Sequence, residues 1–241
     1  MTSVLVTGAN RGIGLGLVRQ LVEEPSVAIV FAAARNVDTA KDLTAISSPK
    51  LHLVSLEIVS EESIARAHAK VSEIVGDRGL DLLINNAGIF NAYRLAGAID
   101  KAGLMQQFEV NAVGPILLVN KFHGLLKKAA AKKGFAQIAN ITSALGSLET
   151  ACEMSAPMPT ALYAMSKAAA NMLTRKLCVE FREDKIRATS FCPGWVRTDM
   201  GTDAAALSLE ESTVPLAKLI LALQEENNGL FYRYNGEAIP W

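Results

Sequence analysis

Cysteine and histidine are scarce in this chain of 241 residues, with three of each. Cys152, Cys178 and Cys192 form an odd set with no C-x-x-C pair, so neither a disulfide framework nor a zinc knuckle is indicated. His52, His68 and His123 lack metal-ligand spacing, and their scatter weakens any Ser–His or Cys–His nucleophile scheme. An excess of charge of one sign is missing too: Lys plus Arg total 24 and Asp plus Glu total 24, for a net charge of zero. A neutral chain has no cationic field to gather nucleic acid. The longest apolar run, residues 27–34, is far shorter than the ~20 residues of a membrane-spanning helix. The first residues also lack the basic segment and apolar core of a secretory signal. These absences lead to the expectation of a reduced, soluble, cytoplasmic protein with no metal, membrane or nucleic-acid partner.

Half the residues are apolar, enough for a sizeable core, and no repeat or Gly/Ser/Pro-rich linker divides the chain. One domain over residues 1–241 is the expectation. Short apolar, β-branched runs at 4–7, 27–34, 51–56, 80–84, 135–141 and 186–191 read as strands, with a last short one near 230–232. Between them, apolar residues recur at helical spacing over 12–24, from Ser60 onward, over 100–133, 160–182 and 209–225, and a polar helix is expected to begin at Asp38. Pro115 predicts a kink or break inside the 100–133 region. Continuously apolar strands alternating with helices describe a parallel sheet covered on both faces, so the expected fold is α/β: a doubly wound, Rossmann-like domain with a seven-stranded parallel sheet.

Thr7-Gly8-Ala-Asn10-Arg11-Gly12-Ile13-Gly14 joins the first strand to the first helix. Glycines there allow a tight turn and close backbone approach to a pyrophosphate, and the helix N-terminus offers free N–H groups to phosphates. The end of the second strand selects the dinucleotide: a carboxylate would bind the ribose hydroxyls of NAD, whereas Arg35 in this chain, with Arg11 in the glycine loop, suits the 2′-phosphate of NADP(H). Tyr163 and Lys167 stand at i and i+4, adjacent on one helix face. A nearby lysine cation lowers a phenol's pKa and fits it for proton transfer to or from a carbonyl oxygen.

Taken together, the motifs resemble the short branch of the short-chain dehydrogenase/reductase family over essentially the whole chain. Five matches occur in the family's order: the glycine loop; Asn85-Asn86-Ala87-Gly88; Asn111; Ser143 with Tyr163 and Lys167; and Pro193-Gly194. Within the family the resemblance is to sniffer-type or C-factor-like carbonyl reductases, carried by Arg11 and Arg35, the stretch Gln107-Phe-Glu-Val-Asn111-Ala-Val-Gly-Pro115, and the ending Gly236-Glu-Ala-Ile-Pro-Trp241.

The resemblance implies the roles. Tyr163 would be the acid/base, Lys167 would tune it and hold the nicotinamide ribose, and Ser143 would bind the substrate oxygen. Asn111 would hold a water that links Lys167 to solvent. Asn86, Ala87 and Gly88 would line the cofactor, and Pro193, Gly194, Val196 and Thr198 would hold the carboxamide. Glu57 replaces the family's usual aspartate at the adenine, with Ile58 beside it.

The implied activity is NADPH-dependent reduction of an aldehyde, ketone or quinone, a small-molecule carbonyl substrate. A hydroxysteroid or retinoid-like alcohol dehydrogenase, a 3-oxoacyl carrier-protein reductase and an NADP(H)-binding sensor with little turnover stay open. An epimerase or dehydratase would call for a further substrate domain. A homodimer or homotetramer is the implied assembly. Two segments bear on the substrate mouth. The Ser143-to-Tyr163 interval is long, so residues 149–159 are expected to wall the substrate mouth, with Met154, Met158, Phe90, Tyr93 and Trp195 as pocket candidates. Residues 199–208, small and polar, are expected to act as a mobile lid.

Overall fold

A computed structural model describes residues 1–96, 98–153 and 159–241. Seven strands form one all-parallel sheet: β1 (Thr2–Thr7), β2 (Val27–Ala34), β3 (Leu51–Ser55), β4 (Leu82–Asn85), β5 (Ala136–Ile141), β6 (Ile186–Cys192) and β7 (Phe231–Arg233). Their order is β3-β2-β1-β4-β5-β6-β7, so the chain reverses direction across the sheet between β1 and β4. In such a sheet the crevice beyond the C-terminal strand ends at the reversal is where ligands bind. The helices are α1 (Gly12–Glu23), α2 (Lys41–Thr44), α3 (Glu61–Val75), α4 (Lys101–Phe108), α5 (Gly114–Lys133), α6 (Ala161–Glu180) and α7 (Leu209–Ala222).

The twofold periodicity of each strand sorts its side chains into two cores. On one face Leu5, Phe31, Leu83 and Ile138 pack with Ile64 and Val71 of α3 and with Leu118, Phe122 and Leu126 of α5. On the other, Val4, Val6, Val30, Ile84 and Phe191 pack with Leu17, Val18 and Leu21 of α1 and with Leu216 and Ile220 of α7. Helices α1 and α7 lie close because Gly16 has no side chain. A Cβ there would stand 2.7 Å from the Thr213 methyl.

Two elements differ from the sequence expectation. The helix expected to begin at Asp38 is only the single turn α2, because residues 36–40 are taken up by local bonds such as Asp38 N–H to Asn36 Oδ1 at 3.1 Å. The 100–133 region breaks as Pro115 requires: α4 gives way to a π-helical turn, Glu109–Val113, and α5 restarts with the proline in its first turn. Pro115 has no N–H to give to the carbonyl of Asn111 four residues earlier, so the α-helical ladder cannot continue through that point. Ser60 caps α3 as expected, accepting from Ser63 N–H at 3.3 Å.

Candidate active site

The glycine loop is held from beneath by Thr7. Its hydroxyl accepts from the N–H groups of Asn86 at 3.0 Å and Ala87 at 3.1 Å, which locks the ends of β1 and β4 together. Asn86 returns the contact, donating through Nδ2 to the Thr7 carbonyl at 2.8 Å and the Gly8 carbonyl at 3.2 Å. Gly8 has φ +64°, and a Cβ on it would meet Ala87 Cα at 2.9 Å, so only glycine fits. At Gly14 a Cβ would stand 2.2 Å from the Gly8 carbonyl oxygen. Helix α1 begins with no side-chain cap and no acidic residue in its first turn, which leaves its N-terminal N–H groups for a ligand. This construction fits a bound phosphate.

Across the sheet reversal, the π-turn brings Asn111 to the strip that follows β4. Its side-chain oxygen accepts from Ile89 N–H at 2.8 Å, and its Nδ2 donates to the Ile89 carbonyl at 2.9 Å and to Ser166 Oγ at 3.0 Å. One turn earlier Gln107, fully buried, accepts from Asn91 N–H at 2.5 Å. The strip from Ile89 to Asn91 thus hangs from two amide side chains. Gly88, just before it, is the point of convergence: a Cβ there would be 3.2 Å from Asn111 Oδ1 and 3.4 Å from Lys167 Nζ.

Helix α6 docks onto the end of β5 through its inner face. Lys167 Nζ donates to the Ile141 carbonyl at 3.1 Å, and Asn171 Nδ2 donates to the Gly146 carbonyl at 3.0 Å. Thr174 receives Asn140 Nδ2 at 2.8 Å and bonds Ser190 Oγ at 2.8 Å. Asn140 also accepts from Asn85 Nδ2 at 2.8 Å, so one buried chain of side chains ties β4, β5, α6 and β6. Gly146 permits the approach, since a Cβ on it would meet the Lys167 carbonyl carbon at 2.7 Å. Ser143, between β5 and Gly146, accepts from Leu145 N–H at 3.2 Å, which leaves its hydroxyl proton available to donate.

Tyr163 lies one turn before Lys167, whose ammonium stands 5.6 Å from the phenol ring centre. The Phe90 ring packs edge-on against the tyrosine at 5.2 Å. Burial pushes the Tyr163 phenol above its usual pKa, and the negative charge that Cys192 carries when ionised acts in the same direction. Burial also brings Lys167 down to about 8, opposed by Cys192. The phenol is therefore protonated at neutral pH, and the ammonium keeps its charge only below about 8.

The remaining expected site residues divide. Gly12 touches Thr198, and Pro193 is pinned by Ser212, whose hydroxyl donates to its carbonyl at 2.7 Å. Gly194 turns at φ +84° beneath Leu207, and Val196 pairs with Leu207 as an isolated bridge. Ile13 lies in the first turn of α1, and Asn10 is exposed beside it.

Both arginines have a carboxylate partner. Arg11 Nη1 pairs with Asp199 Oδ2 at 2.5 Å, and Arg35 Nε faces Glu57 Oε2 at 3.9 Å. Ile58 is buried against Gly114 at the start of α5. The expected lid is a tightly bonded turn, with Gly201 N–H to Thr198 Oγ1 at 3.1 Å and Arg197 Nη1 to the Ala205 carbonyl at 3.1 Å. Trp195 turns its indole N–H to the Gly201 carbonyl at 2.8 Å, and Tyr93 turns its hydroxyl to Gly103. Met154 and Met158 lie outside the described residues. Sequence reasoning missed Ser166, whose hydroxyl links Asn111 to the Tyr163 carbonyl at 2.7 Å. Its position three residues after Tyr163, on the same helix face, was the available signal.

Residues 2–207 match the family model described as short chain dehydrogenase. The chain belongs to that family. Among solved structures it is similar to the carbonyl reductase Sniffer of D. melanogaster, with 33% identity, TM-score 0.93, and 100% of both chains covered. It is also similar to an NADPH-bound carbonyl reductase from chicken fatty liver, with 36% identity, TM-score 0.93, and 100% of this chain and 99% of that one covered. A curated relative, the C-signal of Myxococcus xanthus, is 33% identical over 67% of this chain and 93% of its own. As a short-chain dehydrogenase the chain is an oxidoreductase on a single Rossmann-like sheet.

The buried Asn85–Asn140–Thr174–Ser190 chain sets how α6 sits. Thr174→Val leaves Asn140 Nδ2 and Ser190 Oγ with no partner in an interior site. Urea unfolding should show a loss of about 1–3 kcal/mol, the cost of orphaned buried polar groups, whereas Thr174→Ser stays near the parent.

Proposed function

We propose that this chain is an NADPH-dependent carbonyl reductase acting on an aldehyde, ketone or quinone. The observation that carries the reading is a half-buried Tyr163 phenol, its pKa pushed up by desolvation, one helical turn from the Lys167 ammonium, on the helix that docks beside Ser143. NADP(H), when bound, supplies the hydride. Thr7, Gly8, Gly12, Ile13 and Gly14 form its phosphate cradle, with Asn10 at the rim, and Asn86, Ala87 and Gly88 form the wall opposite. Arg11 and Arg35 answer the 2′-phosphate, Glu57 and Ile58 the adenine, and Pro193, Gly194, Val196 and Thr198 the carboxamide. The NADPH-bound chicken enzyme supports this choice of dinucleotide.

Ser143 donates its free hydroxyl proton to the carbonyl oxygen and fixes it. Tyr163 gives its own proton to that oxygen as negative charge develops there. The Lys167 ammonium offsets the charge left on the phenolate, and below about pH 8 it carries that charge in full. The Asn111 side chain is fully committed to Ile89 and Ser166. Its main-chain carbonyl, which Pro115 cannot reach with an N–H, is the group left to hold a water for reprotonation. The Phe90 ring packed edge-on against Tyr163 suits an apolar carbonyl compound.

A second reading, an NADP(H)-binding signalling protein with little turnover, has the C-signal relative in its favour. Purified protein should oxidise NADPH, in preference to NADH, with at least one of a panel of quinones, aldehydes and ketosteroids. Tyr163→Phe should lower turnover by about 10²–10⁴-fold, the usual worth of a positioned acid. Tight NADPH binding with no turnover on any carbonyl would give the second reading the field.

The pH profile adds a check. Lys167 is charged below about 8, so kcat/KM for NADPH, which reports on the free enzyme, should fall as pH rises through that value. A profile flat to pH 10 removes the lysine from this role.

The exposed apolar residues Val113 and Ile116 near the start of α5, and Met165, Met172 and Val179 along α6, support pairing of two copies through these helices. Sedimentation equilibrium should show a dimer or tetramer, and Met172→Lys should shift it toward monomer. A monomer at all concentrations removes the pairing.

A further inference from the structure

The glycine loop and the segment after β6 come from opposite ends of the chain, and they meet at two adjacent points. A Cβ on Gly12 would be 3.3 Å from the Thr198 methyl. One residue away on each side, Arg11 Nη1 and Asp199 Oδ2 are 2.5 Å apart. Among the described residues this is the one ion pair between the two segments, and Arg11 is the one side chain that the Asp199 carboxylate engages.

The turn that presents Asp199 is stiff. Thr202, held at φ +64°, donates its N–H to the Thr198 carbonyl at 2.8 Å, and Gly201 bonds both Thr198 and Trp195. A carboxylate on such a turn is an internal anion held at a set distance from the loop guanidinium. The cation assigned to the cofactor's phosphate is thus already answered by the protein. The second arginine is answered more loosely, with Glu57 at 3.9 Å from Arg35.

We propose that Asp199 is a specificity-determining residue, competing with the 2′-phosphate of NADP(H) for Arg11 and so setting how strongly the protein distinguishes NADP(H) from NAD(H). The inference rests on the dinucleotide reading above. The competition is unequal in a useful way. The phosphate carries a charge of about −1.5 to −2 against the single charge of a carboxylate. Both partners of the pair are well exposed, at 65% and 74% of their side-chain surface, so water and salt already weaken it. A phosphorylated dinucleotide displaces Asp199 at a several-fold cost in affinity. A dinucleotide without the phosphate has nothing to offer Arg11 and leaves the pair as it is.

The test is calorimetric titration of NADPH and NADH into the full chain and four variants, with turnover not needed as a readout. Asp199→Asn should tighten NADPH about three- to tenfold and leave NADH unchanged, while Asp199→Glu should keep the parental discrimination. In an Arg11→Met background, Asp199→Asn should do nothing to either cofactor. Equal tightening of NADPH and NADH would show general repulsion of the pyrophosphate and overturn the proposal. So would weaker NADPH binding, which would make the pair a clasp over the ligand, or an Asp199→Asn effect that survives without Arg11. A parent protein that binds NADH more tightly than NADPH would bring down the dinucleotide reading itself, and the proposal with it. Thermal melts of each variant confirm that the titrated protein is folded.

Discussion

Helix α6 can sit where it does only because residue 146 has no side chain. A methyl group at Gly146 would run into the Lys167 carbonyl carbon at 2.7 Å and the Ala168 nitrogen at 2.9 Å. From that close approach follow the three polar contacts of the helix's inner face: Lys167 on Ile141, Asn171 on Gly146 and Thr174 on Asn140. They place Tyr163 and Lys167 beside the serine that ends the same strand connection. Push the helix outward by the width of a methyl, and all three bonds stretch together. The candidate chemistry is in this sense a property of one helix–strand spacing.

The same spacing makes the site expensive to maintain. Lys167 is 5% exposed, and an ammonium taken out of water is destabilised unless an opposite charge or good acceptors surround it. Here one carbonyl at 3.1 Å is its hydrogen-bond partner, and its pKa comes down to about 8. Tyr163 is moved the other way by the same burial. One environment therefore holds the phenol's proton while loosening the lysine's. A packed apolar pair would stabilise the fold more and would have no proton to move.

Much of this was legible in the chain. Strand and helix order, the glycine loop at the first strand–helix junction and the break near Pro115 follow from local patterns of two to eight residues. Local pattern is also what determines them physically: apolar periodicity, positive-φ glycines and a missing N–H. The family motifs name Asn111, Ser143, Tyr163 and Lys167 as one set; of these, Asn111 and Lys167 converge on Gly88, and Tyr163 lies one turn before Lys167. What stayed hidden depends on partners far along the chain. Arg11 reads as a cation for a phosphate, and nothing local announces its carboxylate partner, Asp199, 188 residues away. The small, polar composition of residues 199–208 suggests mobility, whereas backbone hydrogen bonds with Trp195, Arg197 and Thr198, which composition does not report, tie them down. Gln107 carried no signal as a buried side chain holding Asn91.

The strip from Ile89 to Asn91 is suspended from Asn111 and Gln107, and neither of its anchors lies in the stretch that continues from it. No hydrogen bond from Asn111, Lys167 or Tyr163 reaches residues 92–96 or 98–100 among the described residues. Substitutions in those residues therefore leave the bonds of Asn111 and Gln107 to the strip in place. Sequence change there is cheap for the fold, whereas change at either of the two amides that hold up its edge would release the strip itself.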